Sequence, residues 1–210
     1  MSAQELLDQM RRELAPVEQA IRAHRYVAVP ASEESLRSFA AEQYTTLSSD
    51  RRSFAHLAAR FPEVPAGDFF LGLAQGEGEA LARLLVLADS LGSDERNLIA
   101  YEPKPGCQAY TAFVSWLALN GSRADLALAF LANLAAWGEN CRRLADMLHG
   151  RCDTSFFEFF AEPAPGFEEI ALVVADQGLA SGDPPERARR AARLLQAYEL
   201  LFWDTLADAL

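Results

Sequence analysis

Positive charge is scarce in this chain. Lysine and arginine together number 19 against 30 aspartates and glutamates, a formal net charge of -11 over 210 residues. Such a surface repels phosphate backbones and argues against a nucleic-acid partner. The densest basic stretch, PERARRAAR, carries Arg187, Arg189, Arg190 and Arg193 and reads as the solvated face of the last helix. Cysteine is scarce too. Cys107, Cys141 and Cys152 are an odd number, and no pair has a metal-site or redox-motif spacing. Free thiols in a reducing compartment are the simplest expectation. Histidine is limited to His24, His56 and His149; none follows a glutamate by three residues, and none has a second histidine within two turns. The E-x-x-H pattern of di-metal helical bundles is therefore missing. No metal and no other cofactor is expected.

Long apolar runs and strand signals are missing as well. The longest apolar run, LALAFLANLAAW (126–137), is too short for a bilayer and is marked by Asn133. The N-terminal MSAQELLDQMRRELA is amphipathic and partly acidic, without the apolar core of a signal peptide. A cytoplasmic protein with no membrane partner is expected. Only RYVAVP (25–30) reads as extended chain.

What is present is helical. Half the residues are hydrophobic, and their spacing predicts helices at 3–24 (interrupted near Pro16), 33–60, 67–91, 107–120, 123–149, 153–160, 166–180 and 185–208. Ser32 and Ser122 sit where N-caps belong, Gly121 and His149-Gly150 where helices stop, and Pro184-Pro185 where the last helix begins. The loops FPEVPAGD, EPKPG and AEPAPG are too short to link domains. One all-α domain over residues 1–210 is expected, a bundle of about seven or eight helices. LGLAQGEGEAL contains Gly72, Gly76 and Gly78, but it is not a phosphate-binding G-x-G-x-x-G; close helix packing or a kink is expected there.

One residue resists a purely structural reading. In LLQAYELLFWDTL, Glu199 shares a helical side with Leu195, Phe202, Trp203 and Leu206. A carboxylate in such a setting is costly unless paired or protonated. Gln43 and Asn133 also fall within apolar helical stretches. Tyr44, Tyr110, Trp116, Trp137, Phe156, Tyr198, Phe202 and Trp203 are spread over several helices. Most serve as core, but polar groups among aromatics are also the composition of a small-molecule pocket.

Four stretches resemble the TenA/PqqC-like family: CQAYTAFVSWLALNGS (107–122), LALAFLANLAAWGENCRRL (126–144), AYELLFWDTLA (197–207) and, more loosely, the region from His24 to Leu47. The Y-E-x-x-F-W-D element is the most specific piece. The resemblance implies a haem-oxygenase-like all-α fold that is usually a homo-oligomer (dimer or tetramer), with a pocket between the core helices and no haem. Thiaminase II members of that family act on thiamin and aminopyrimidines through a cysteine nucleophile, a glutamate acid/base, an aspartate that holds the pyrimidine, and several tyrosines. The resemblance assigns the glutamate to Glu199 and one tyrosine to Tyr110. It puts Gln43 where the aspartate belongs, followed by Tyr44. Asn133 stands at the nucleophile position, Trp137 at a tyrosine and Phe156 at another, while Phe202 belongs to the element around Glu199.

These departures have chemical meaning. Asparagine forms no covalent intermediate of the thiolate kind. Glutamine still hydrogen-bonds a heteroaromatic ring but does not ion-pair with a protonated one. The resulting expectation is a pocket for a small nitrogen heterocycle, pyrimidine- or thiamin-related. Glu199 is its acid/base, and Gln43, Tyr44, Tyr110, Asn133, Trp137, Phe156 and Phe202 are its binding residues. The alternatives are a non-catalytic ligand- or partner-binding member and a PqqC-like or oxidase-type enzyme of the same fold.

Overall fold

The computed structural model describes residues 1–29 and 32–208. Among them there is no strand. The helices are α1 (Ala3–Arg22), α2 (Glu33–Arg60), α3 (Ala66–Ser90), α4 (Glu95–Ala100), α5 (Pro105–Asn120), α6 (Arg123–Leu148), α7 (Ser155–Ala161), α8 (Phe167–Ala180) and α9 (Pro185–Ala207). None of them is long and apolar enough to cross a membrane.

The caps read from sequence form as expected. Ser32 Oγ accepts from Ser35 N at the start of α2, and Ser122 makes a reciprocal capping box with Asp125 at the start of α6. Three expectations need correction. First, α1 runs unbroken through Pro16. Pro16 is exposed, so the carbonyl it leaves unpaired faces solvent, while Leu14 and Ile21 keep the helix on the core. Second, Arg25–Val27 is a 3-10 turn, not a strand. His24 Nδ1 accepts from Tyr26 N at 3.2 Å, and the Tyr26 hydroxyl donates to the Ser35 carbonyl at 3.1 Å. A side-chain cap and a buried anchor fold the segment back; its last residue, Pro30, lies outside the described residues. Third, α4 is an additional helix. Its six residues are too few to show a period, and its signal is the Asp94–Asn97 capping box, with bonds of 3.0 Å in both directions.

α6 is the centre of the bundle, packing on α1, α7, α8 and α9. Its alanines permit that crowding: Ala124, Ala127, Ala129, Ala132 and Ala136 are all buried. A Cβ on Gly138 would lie 2.9 Å from the Phe160 carbonyl oxygen, so α7 approaches α6 only because residue 138 has no side chain. The second layer is α2 with α3 and α5, and α5 in turn packs on α9.

The apolar core has two halves. One gathers Leu6, Phe54, Phe70, Phe130 and Leu195 with their neighbours. The other is built on rings: Phe39, Phe156, Phe157, Phe202 and Trp203. Trp203 is fully buried, with the Tyr26 and Trp137 rings centred 5.7 and 5.4 Å away.

Candidate functional site

A cavity of about 610 Å³ opens between the two layers. It is walled by both halves of the core, Phe54, Phe69 and Phe130 from one and Leu47 and Phe202 from the other. Helical periodicity supplies the walls. On α2, Gln43, Leu47, Asp50 and Phe54 lie at spacings of three and four and form one stripe. On α6, Phe130, Asn133, Leu134 and Trp137 do the same, and α9 adds Glu199 and Phe202. The exposed mouth lies between Asp68 of α3 and the loop from Glu162 to Gly166, where two prolines and the positive φ of Gly166 (77°) set the turn into α8.

Glu199 is 2% exposed. Trp203 Nε1 donates to its Oε1 at 3.2 Å, one helical turn on, while Oε2 is buried and unpartnered. Burial pushes its carboxyl up to about 7, opposed by the hydrogen-bonding side chains of Trp203 and Asn133. It is therefore poised to hold or release a proton near neutrality. Asn133 is 4% exposed, and its Oδ1 also lacks a partner.

Gln43, Tyr110, Asn133, Trp137, Glu199 and Phe202, all singled out from sequence, meet on this cavity. Two others do not reach it. Tyr44 is rotated about 100° around α2 from Gln43, and its hydroxyl donates outward to Glu95 Oε1 at 3.0 Å. Phe156 is fully buried behind the wall, its ring 6.0 Å from Phe39 and 5.3 Å from Phe160. It supports Phe160, which does line the cavity.

Two carboxylates were missed by sequence reasoning. Asp50 is buried and accepts a hydrogen bond from the Thr111 hydroxyl. Burial raises it to about 7, with the Thr111 bond acting the other way. Glu77, across from it on α3, is raised well above the usual range by burial first and by the Asp50 charge second. Tyr110 lies within the field of Asp50, Glu199 and Glu77; burial, then those three charges, keep it a neutral phenol. Asp50 had a sequence signal, its seven-residue spacing from Gln43. Glu77 had none, because it is placed by the pairing of α2 with α3.

Of the glycines around Glu77, Gly78 shows the expected close packing, against Arg51 of α2, while Gly72 and Gly76 need a new account. α3 runs through them without a break, and a Cβ on Gly72 or Gly76 would meet nothing within 4 Å. Both line the cavity, so their missing side chains leave it room. Gly76→Leu is expected to raise stability by about 1 kcal/mol through helix propensity while obstructing the cavity. Urea melts and ligand titrations on the same variant check both halves of that statement.

Among the described residues no three of His, Cys, Asp or Glu converge as a metal-ligating group. None of the three cysteines lines the cavity. Cys141, close enough to feel the Glu199 charge, is fully buried and pushed well above the ordinary thiol range, chiefly by that burial.

Residues 12–209 match the model of the TENA/THI-4/PQQC family. The chain belongs to this family. No curated protein matches it. The fold agrees with solved relatives. A TenA homologue from P. horikoshii OT3 superposes with a TM-score of 0.79 at 19% identity, covering 96% of this chain and 97% of that one. A TenA homologue from Pyrococcus furiosus gives 0.77 at 18% identity, with 96% and 99% covered. A domain of unknown function with a heme oxygenase-like fold, from Shewanella denitrificans, gives 0.62 at 14% identity, with 98% and 88% covered. The protein is thus an all-α, haem-oxygenase-like member of the TenA family.

Proposed function

We propose that this TenA-family protein takes a small nitrogen heterocycle, pyrimidine- or thiamin-related, into the cavity between α2 and α6. Glu199 acts there as general acid/base in a hydrolytic salvage reaction. The observation that carries the reading is the state of Glu199: buried in the cavity wall, with one oxygen held by Trp203 and the other without a partner. A carboxyl near 7 both donates and accepts a proton at neutral pH. The flat rings of Trp137, Phe160 and Phe202 suit a planar ligand, and Gln43 and Asn133 supply amide donors and acceptors for ring nitrogens.

No thiol is in position to form a covalent intermediate, so water is the attacking group and Glu199 orients or deprotonates it. On this reading an aminomethyl-pyrimidine substrate releases ammonia by direct displacement, and Glu199 returns the proton to the leaving amine. The test is steady-state assay of wild type and Glu199→Gln with aminopyrimidine amines and thiamin. The variant is expected to lose about 10²–10⁴ in kcat, with no covalent adduct by mass spectrometry. Undiminished activity in Glu199→Gln defeats the reading.

The empty nucleophile position favours a second reading, a binding protein without turnover; saturable heterocycle binding across a substrate panel that yields no product selects it. A homo-oligomer in the cytoplasm completes the proposal. Trp116 and Leu119 of α5 and Leu201 of α9, each at least 40% exposed, offer apolar surface for a second copy.

A further inference from the structure

The cavity is electrically one-sided. Asp50 of α2, Glu77 of α3 and Glu199 of α9 line its interior, and Asp68 and Glu162 stand at its mouth. No lysine, arginine or histidine is among the described residues that line it. Arg51 is exposed and crosses α3 outside the cavity, its guanidinium carbon 3.2 Å from the place a Cβ on Gly78 would occupy. Asp50 and Glu77 each stand one residue before that crossing.

The acceptors in this space are not satisfied by the protein. Asp50 Oδ1 has the Thr111 hydroxyl, but Glu77 Oε2 is buried without a partner. Asn133 Oδ1 and Glu199 Oε2, on side chains 4% and 2% exposed, also lack one. Three buried acceptors on three helices therefore border one cavity without a hydrogen bond, although the Asn133 amide lies near enough to steady Glu199. Each such orphan costs about 1–3 kcal/mol, more if charged, so the arrangement calls for an occupant rich in N–H groups. The walls point the same way. Rings such as Phe54, Phe130, Tyr110 and Trp137 line the cavity, and ring faces attract cations.

We propose that the Asp50–Glu77 pair is the docking point for a positively charged nitrogen, so that the cavity selects organic cations: an ammonium or amidinium group on a flat apolar body. In the empty cavity burial keeps a proton on the pair; an arriving cation displaces it to solvent, and the two carboxylates from neighbouring helices then give the group charge-assisted hydrogen bonds on two sides, with its body lying among the rings. Glu199 and Asn133 remain free for the rest of the molecule. The inference rests on the preceding section only in taking the cavity as the ligand site; it makes no use of Glu199 chemistry.

Calorimetric titration with three probes of one shape tests it: benzylammonium, benzyl alcohol and benzoate. Wild type is expected to bind benzylammonium about tenfold or more tighter than benzyl alcohol, from ion pairing and cation–π attraction, and to give no heat with benzoate. In Asp50→Asn/Glu77→Gln, whose amides keep the shape, the preference for ammonium falls to near unity while the alcohol's affinity holds. The loss follows the α2–α3 pair and not Glu199→Gln. Equal affinities in wild type overturn the proposal, as does a preference that survives the double variant. No benzylammonium heat at about 10 mM, where a fragment of ordinary efficiency binds visibly, overturns it too. A cation preference mapped to Asp50 and Glu77 stands even where Glu199→Gln proves catalytically silent, so the two proposals fail separately.

Discussion

Replacing Trp203 by alanine is expected to destabilise the protein by about 4 kcal/mol and to lower its melting temperature by about 10 °C. The indole is fully buried. It sits at the meeting point of Tyr26, Phe39, Trp137 and Phe202, with ring centres 5.4–6.2 Å away. No side chain nearby can collapse into a gap of that size without abandoning its own ring contacts. Trp203→Phe separates the two roles of the residue. It keeps most of the packing and removes the Nε1–H donor to Glu199, so the expected cost is about 1–2 kcal/mol. Because that donor favours the ionised carboxyl, Glu199 titrates at still higher pH in the phenylalanine variant. Urea unfolding of both variants, and the pH dependence of any Glu199-linked activity, check this.

The second large effect is a loss of stability as pH rises from 5 to 8. In the unfolded chain Glu199 ionises near the ordinary glutamate value of 4.5; in the fold it does so at about 7. Between those values the native state holds a proton that the unfolded state has released, so folding becomes less favourable as pH rises and levels off above 7. For Glu199 alone the loss is about 3 kcal/mol. Asp50 and Glu77 shift in the same direction and add to it. Glu199→Gln carries no such proton. It is expected to match wild type near pH 5 and to exceed it by about 3 kcal/mol at pH 8. Denaturant midpoints at the two pH values decide the matter; a wild-type protein equally stable at both contradicts the burial of these carboxyls.

Those carboxylates also mark how far the sequence could be read. Glu199 was legible because its neighbours at three, four and seven residues are apolar, a local fact. Most helix spans were legible for the same reason, and Ser32 and Ser122 announced their caps. Asp50 was harder, since it stands beside Ser49, Arg51 and Arg52 in a run that reads as a solvated face. What buries it is its spacing from Gln43 and the approach of α5, whose Thr111 meets it. Glu77 lies between two glycines on a helix whose partner is chosen by the tertiary fold, and nothing local separates it from exposed Glu79 two residues on. The pairing of buried His24 with Asp204 at 3.0 Å likewise spans 180 residues of sequence. Tyr44 and Phe156 show the converse limit: similarity to a family places a residue on a helix, but one step of about 100° decides which way it faces.

The division of the core gives the cavity a further meaning. Side chains from the two apolar halves face each other across about 610 Å³. A molecule held there touches both halves at once and completes the interior that the chain alone leaves open. Its binding energy is then folding energy: by mass action a ligand at a hundred times its Kd adds about 2.7 kcal/mol to the native state. On the proposed reading, supply of the small molecule raises the stability of the occupied copies as well as their number.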